Sequence, residues 1–135
     1  MHKALEMAYS NLESERSHIL NLKNYFKNSL LNIFPDVVFN GLSASTKFST
    51  YTLLNVALPI DNEKASLLDF HLDLQGIACS KGSACQSGSS SGSHVLNSIQ
   101  SKKLRQRPSL RFSFSNFNTI KEVDYVIYSL KEFIN

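Results

Sequence analysis

The sequence has no tryptophan, only two cysteines and three prolines among its 135 residues, and no long apolar run. Two cysteines are too few for a disulfide framework or for a closed zinc site with four ligands. The apolar stretches fall far below the ~20 residues that cross a bilayer, and the first ten residues lack the apolar centre of a signal peptide. We therefore expect a cytoplasmic protein that spans no membrane and holds no metal.

The sequence also has little excess of positive over negative charge, since its formal net charge is only +3. The one dense basic cluster comprises Lys102, Lys103, Arg105 and Arg107. It lacks the interleaved aromatic residues and the repeated basic spacing of a nucleic-acid surface, so we expect no nucleic-acid binding. Two interpretations stay open: a solvated turn, or a surface that attracts an acidic partner.

What the sequence does contain is enough apolar residues, 42% of the total, to build the core of one domain over residues 1–135. The first thirty or so residues predict a long amphipathic helix, which Pro35 and Asp36 end. Its buried stripe is predicted to contain residues seven positions apart, namely Leu5, Leu12, Ile19 and Phe26.

The remaining elements are predicted from hydrophobic periodicity, from helix-capping residues and from residues that end helices and strands. Strands are predicted at Val37–Asn40, Thr52–Leu58, Ile77–Ser80 and Ser109–Ser115. Further helices are predicted from Asp61 or Asn62 to Leu74, from Ser93 to Gln100, and from a Thr119–Glu122 capping box to Ile134. In the first of these helices, Leu67, Leu68, Leu72 and Leu74 are expected to form the apolar side. This order favours an α/β fold, an α+β sandwich in which a small sheet is covered by helices.

The segment from Ser80 to Ser93 holds seven serines and three glycines in fourteen residues, with Cys85 inside it. Such a composition is typical of a flexible linker with an incidental thiol. However, long irregular segments inside a compact unit are usually functional, and an exposed thiol there could accept and carry a group. It would need activation to a thiolate, for which His94, Lys81 or a helix beginning near Ser93 are candidates.

The other cysteine, Cys79, follows Ile77 on a predicted strand, where small apolar residues fit. We expect a buried and unreactive thiol there. A disulfide or a shared metal with Cys85 is the alternative.

The segment GIACSKGSACQSGSSSGSHVL, from Gly76 to Leu96, resembles the active-site loop of cysteine desulfurases in the class V aminotransferase superfamily. The similarity extends to TLLNVALP, to RPSLRFSFSNFNTIKEVDYVIYSL and to the initial ALEMAYSNLESERSHILNLKNYF, which resembles the helix linking that family's large and small domains. The resemblance implies the C-terminal small domain of a fold-type I pyridoxal-phosphate enzyme.

The resemblance also implies roles for two residues. Cys85 matches the cysteine that takes sulfur from the cofactor-bound L-cysteine substrate as a persulfide, which releases alanine. Arg111 matches the arginine that binds the substrate carboxylate, a role that suits a planar guanidinium. An ordinary surface arginine is the alternative for Arg111.

The family's large domain, with its lysine for pyridoxal phosphate, has no counterpart here, so we expect no cofactor-binding residue in this chain and no activity from it alone. The implied full-length enzyme is a homodimer that passes sulfur to an iron–sulfur scaffold or a tRNA-thiolation acceptor. Two alternatives stay open: a free-standing sulfur carrier or interaction module, and a domain similar to a selenocysteine lyase.

Overall fold

The computed structural model of the protein describes residues 2–81 and 93–134. Its elements are, in order, α1 (His2–Ile33), β1 (Val38–Phe39), β2 (Leu53–Ala57), α2 (Asn62–Leu74), β3 (Ser80–Lys81), α3 (His94–Ile99), a turn of 3₁₀ helix (Leu104–Gln106), β4 (Ser109–Ser113) and α4 (Ile120–Ile134). Apart from the short 3₁₀ turn, this is the predicted order of helices and strands. None of the described helices is long and apolar enough to span a membrane.

The four strands form one antiparallel sheet in the order β1-β2-β4-β3. Strand β2 lies inside the sheet, as its continuous apolar run predicted, and it pairs with β4 over all five of its residues. Strands β1 and β3 are two-residue edge strands, shorter than the sequence predicted. Short edges leave little unpaired backbone on which another chain could add a strand.

Alternate residues of β2 and β4 point to opposite faces of the sheet. One face is apolar and buried, with Leu54 and Val56 of β2 beside Leu110 and Phe112 of β4. Residues of α1, α2 and α4 complete this core: Leu22, Phe26, Leu30, Leu68, Leu72, Val123 and Leu130. All three long helices therefore cover the same face.

The other face, called here the second face, is built from two rows of register partners. One row is Val38, Ala57 and Ser109, and the next is Asn55, Arg111 and Ser80. The long helices do not cover these side chains, so polar residues are tolerated here. The candidate site lies on this face.

The predicted stripe of α1 is half right. Ile19 and Phe26 are buried, but Leu5 is 57% exposed and Leu12 is 39% exposed. The cause is the length of the helix: no residue between positions 2 and 18 is buried against the described part of the chain. Periodicity identified the apolar side of the helix, but it could not show where packing begins.

Helix α2 also departs from the sequence prediction. Leu68 and Leu72, four positions apart, are buried, whereas Leu67 and Leu74 are exposed because they lie on other sides of the helix. Asp61 occupies the N-cap position, but its side chain accepts no capping hydrogen bond. Gly76 follows the helix with a φ of +71°, a value that favours glycine and ends the helix as predicted.

The start of α4 is formed as predicted. The Thr119 backbone N–H donates to Glu122 Oε2 at 2.6 Å, and the Glu122 backbone N–H donates to Thr119 Oγ1 at 3.3 Å. This reciprocal pair is a capping box, which supplies acceptors for backbone N–H groups that have no carbonyl partner within the helix. The local sequence T-x-x-E is sufficient to specify it.

Candidate functional site

The predicted nucleophile, Cys85, belongs to residues 82–92, which lie outside the described residues. The structure nevertheless shows what holds the chain on both sides of that segment. On the upstream side, β3 pairs with β4, so that Ser80 lies opposite Arg111 and Lys81 opposite Leu110. The chain therefore enters the cysteine-bearing segment directly beside Arg111.

A second contact holds the upstream side. The Lys81 ammonium lies 3.0 Å from Asp69 Oδ2, which joins β3 to α2. Both side chains are substantially exposed, so this ion pair adds little to stability. Its effect is to direct the Lys81 side chain towards Asp69 of α2.

On the downstream side, the chain re-enters regular structure at Ser93. The Ser93 hydroxyl accepts a hydrogen bond from the Leu96 backbone N–H at 3.4 Å, which confirms the predicted N-cap of α3. Helix α3 is short and has no buried residue of its own. Its attachment to the domain must therefore come from other contacts.

One attachment of α3 is a polar network on the second face of the sheet. The side-chain amide of Asn40 donates to Asn55 Oδ1 at 2.8 Å and to Ser109 Oγ at 3.1 Å. The side-chain amide of Gln100 donates to Asn40 Oδ1 at 2.6 Å and to Ser109 Oγ at 3.3 Å. Asn40 and Gln100 are buried, so each bond also satisfies a group that water cannot reach.

Because Gln100 is the C-cap residue of α3, this network fixes α3 to β2 and β4. Sequence reasoning missed the network, since Asn40 and Gln100 are 60 positions apart. One signal was present: Asn55 is a polar residue inside the apolar run TLLNVAL. A polar residue within a central strand needs a hydrogen-bonding partner, and this one has Asn40.

Arg111 projects from the exposed side of β4, between Ser80 and Asn55 in the register. Its Nη2 donates to Ser80 Oγ at 3.2 Å, and within the described part of the chain the guanidinium makes no other hydrogen bond or ion pair. Arginine carries five N–H donors in a planar fork. The arrangement therefore leaves donors with which Arg111 could bind a carboxylate.

Cys79 is a free, half-buried thiol at the start of this region. Burial, with a smaller effect from the Asp69 carboxylate, raises the pKa of Cys79 to about 11. A thiol with so high a pKa is almost wholly protonated at neutral pH, and the thiolate is the reactive form. Cys79 is thus less buried than predicted, while its raised pKa agrees with the predicted lack of reactivity.

The described residues form no metal site, and the side chains around Arg111 do not fit pyridoxal phosphate. Over residues 2–81 and 93–134 no three His, Cys, Asp or Glu side chains group as metal ligands. Around Arg111 the assembled side chains are hydroxyls and amides: Ser80, Asn55, Asn40, Ser109 and Gln100. These provide neither an amine for a Schiff base nor a carboxylate for the pyridine nitrogen of the cofactor.

Residues 1–126 match the family Aminotransferase class-V. The chain belongs to this family. Two chains of known structure share the fold: a NifS-like protein, with a TM-score of 0.74 at 23% identity over 98% of this chain, and a NifS-like protein from Rickettsia africae, with a TM-score of 0.69 at 20% identity over 93% of this chain. The predicted small sheet with helices and a long first helix is thereby confirmed.

Curated relatives of this chain include cysteine desulfurases. A mitochondrial cysteine desulfurase of Candida maltosa is 38% identical over 119 residues, which are 87% of this chain and 23% of the relative. A cysteine desulfurase of Klebsiella pneumoniae is 34% identical over 135 residues, all of this chain and 32% of the relative. The chain is thus related to the cysteine desulfurases and spans a third or less of the length of these relatives.

Proposed function

We propose that this chain is the sulfur-accepting part of a pyridoxal-phosphate-dependent cysteine desulfurase, with Cys85 as the nucleophile and Arg111 as the ligand of the substrate carboxylate. One observation carries the proposal: β3, which leads into residues 82–92, pairs with β4 at Arg111. The Ser80–Arg111 hydrogen bond adds a side-chain link at the same point. A thiol a few residues further on can then work close to a substrate held by Arg111.

The proposed sulfur transfer is a nucleophilic displacement at the sulfur atom of the substrate. The Cys85 thiolate forms an S–S bond to the sulfur of L-cysteine, and the C–S bond of the substrate breaks. The electron pair of that bond leaves with the carbon, which takes up a proton and becomes the methyl group of alanine. Cys85 then carries a persulfide.

The role proposed for Arg111 is orientation. A guanidinium holds a carboxylate through two parallel hydrogen bonds, which fixes the plane of the carboxylate as well as its position. The rigid pairing of β4 with β2 supplies a stable base for this side chain. Orientation of this kind lowers the entropy cost of bringing the substrate sulfur to the thiolate.

The cofactor must be held by residues other than those described. We assign the pyridoxal phosphate and its lysine to a large domain of a longer protein, for which residues 1–135 form the small domain. That enzyme is proposed to act as a cytoplasmic homodimer and to deliver sulfur to an iron–sulfur scaffold or to an acceptor in tRNA thiolation.

The test is sulfide release from L-cysteine in the presence of pyridoxal phosphate and a reducing thiol. It compares this chain, the chain extended into the large domain, and the extended chain with Cys85→Ala, with Cys79→Ala as the matched control. Activity should be found in the extended chain and in its Cys79→Ala form. This chain alone and the Cys85→Ala form should be inactive.

If the Cys85→Ala form retained the activity of its parent, the nucleophile would be misassigned. Mass spectrometry of the extended chain after incubation with L-cysteine gives a second readout. One added sulfur on the peptide that contains Cys85 is the expected product.

A further inference from the structure

A groove of about 470 Å³ opens between β1 and the 3₁₀ turn. Arg111 is not among the residues that line it. Its apolar lining residues are Pro35, Val37, Val38 and Leu104, and its polar lining residues are Asp36, Ser101, Lys103 and Arg107. Such a surface can accept an aliphatic side chain flanked by polar groups. It fits a short peptide segment better than a flat protein surface.

The charge around the groove is strongly one-sided. Lys103 and Arg107 of the basic cluster line the groove, against the single carboxylate of Asp36, and the other two members of the cluster, Lys102 and Arg105, belong to the same turn. Among the described residues, none of these four cations forms an ion pair with a carboxylate. Unpaired positive charge of this density attracts an opposite surface and speeds its encounter.

Two of the four cations are held by the backbone. Arg107 Nη1 donates to the carbonyl of Asp36 at 2.6 Å, and Arg105 Nε donates to the carbonyl of Gln100 at 3.2 Å. These bonds fix the basic turn against β1 and α3. The positive charge therefore has a defined position, unlike that of a run of freely moving lysines.

The groove shares the second face of the sheet with Arg111. Val38, in its lining, belongs to the row of register partners that ends at Ser109, and the adjacent row contains Arg111. Helix α3, the first element after residues 82–92, leads directly into the basic turn. A partner seated in the groove would therefore lie on the face where the sulfur-bearing thiol is expected.

We propose that this groove docks an acidic segment, with an aliphatic residue at its centre, of the protein that receives sulfur from Cys85. This docking proposal rests on the proposed function. Transfer is thiol exchange: the acceptor thiolate takes the outer sulfur, the Cys85–sulfur bond breaks, and Cys85 leaves as a thiolate that is protonated. No oxidant or reductant is required, because one S–S bond forms as another breaks and the transferred sulfur keeps its oxidation state.

The first experiment measures binding by this chain itself. The probe is a fluorescent peptide with one leucine flanked by aspartates and glutamates; the control peptide has asparagines and glutamines instead. The acidic peptide should bind more tightly, and Lys102→Glu/Lys103→Glu should weaken its binding by about tenfold. The matched variant Lys121→Glu/Lys131→Glu, on α4 behind the opposite face, makes the same charge change and should bind normally.

The second experiment measures sulfur transfer in the extended enzyme. A peptide of the acidic type that carries one cysteine receives sulfur from the persulfide, and dithiothreitol serves as a small acceptor. Lys102→Glu/Lys103→Glu should slow transfer to the acidic peptide by about tenfold relative to Lys121→Glu/Lys131→Glu. High salt should reduce this difference, because it screens exposed charges.

The outcomes separate the two proposals. If no form releases sulfide to dithiothreitol, the desulfurase proposal fails, while peptide binding still decides the docking proposal. If sulfide is released but the two charge variants bind the acidic peptide and transfer sulfur to it equally, the groove is not the docking site.

Discussion

Ser80 and Arg111 face each other across the β3–β4 pair, and the Arg111 guanidinium donates to the Ser80 hydroxyl at 3.2 Å. This bond connects the residue proposed to bind substrate with the strand that leads into the cysteine-bearing segment. Ser80 is therefore a candidate for positioning Arg111. The first prediction therefore concerns substitutions of Ser80 and Arg111.

In the extended enzyme, Ser80→Ala should raise KM for L-cysteine by about two- to fivefold and leave kcat nearly unchanged, because one hydrogen bond to Arg111 is lost. Arg111→Lys should raise KM by about tenfold or more, since lysine cannot form the two parallel hydrogen bonds. Ser113→Ala, an exposed serine two positions further along β4, is the control. Equal effects of the two serine variants would argue against a positioning role for Ser80.

The second prediction concerns the two thiols. With its pKa raised to about 11, Cys79 should react with iodoacetamide at pH 8 about 100-fold more slowly than an ordinary thiol. Its rate should increase with pH towards that pKa as the thiolate forms. Peptide mass spectrometry at successive times measures both cysteines, and the denatured chain is the control, in which they should react alike. Rapid labelling of Cys79 in the native chain would contradict its burial.

The third prediction concerns Lys23, a buried residue of α1 whose Nζ donates to the Thr50 carbonyl at 2.8 Å. Burial, and then repulsion from Lys27, lowers the pKa of Lys23 from its ordinary value of 10.5. Above the lowered pKa the native state gives up this proton before the unfolded state does. Stability should therefore increase with pH between the lowered pKa and 10.5, by at most about 1.4 kcal/mol per pH unit from this group.

Lys23→Met should remove this contribution, so that the free energy of unfolding changes less with pH across the same interval. Urea unfolding at a series of pH values measures it. Lys27→Met is the control: it should retain most of the slope, because burial is the larger cause of the Lys23 shift. If Lys23→Met and its parent had the same slope, the Lys23 ammonium would not be desolvated in solution.

The fourth prediction tests the network that holds α3. Gln100→Leu leaves the buried Asn40 side chain short of a partner and should cost about 1–3 kcal/mol of unfolding free energy. The double variant Asn40→Leu/Gln100→Leu should cost less than the sum of the two single variants, because both partners are then removed. Gln106→Leu, at an exposed position, is the control. Additive effects in thermal unfolding would show that the two amides do not interact.

Local sequence signals predicted much of this fold. The Thr119–Glu122 box, the Ser93 cap and the Gly76 stop each depend on residues within a few positions, and all three are formed. The apolar run of β2 correctly indicated an interior strand. The exposure of Leu67 was not predictable in this way, because tertiary packing decides which side of a helix is buried, and the missing cap at Asp61 has no signal in the local sequence.

The candidate site was predictable only in part. Alternation in SLRFS indicates that Arg111 and Leu110 point to opposite faces, and the structure places Arg111 on the exposed one. That Arg111 lies opposite Ser80 depends on strand register across 31 positions, which no local pattern encodes. The same is true of the groove, which Val38 and Leu104 both line only because β1 and the 3₁₀ turn lie close together.

The exposed beginning of α1 has a consequence for local unfolding. None of residues 2–18 is buried against the described part of the chain. Within that part, the beginning of the helix is held by little more than its own backbone hydrogen bonds and the Asn116–Glu15 hydrogen bond, and short isolated helices are marginal in water. Its amide protons should exchange with solvent by fraying, whereas those from Ile19 to Leu30 should exchange only when the core opens. One continuous helix would thus contain two cooperative units, with their boundary close to the His18–Asn118 hydrogen bond.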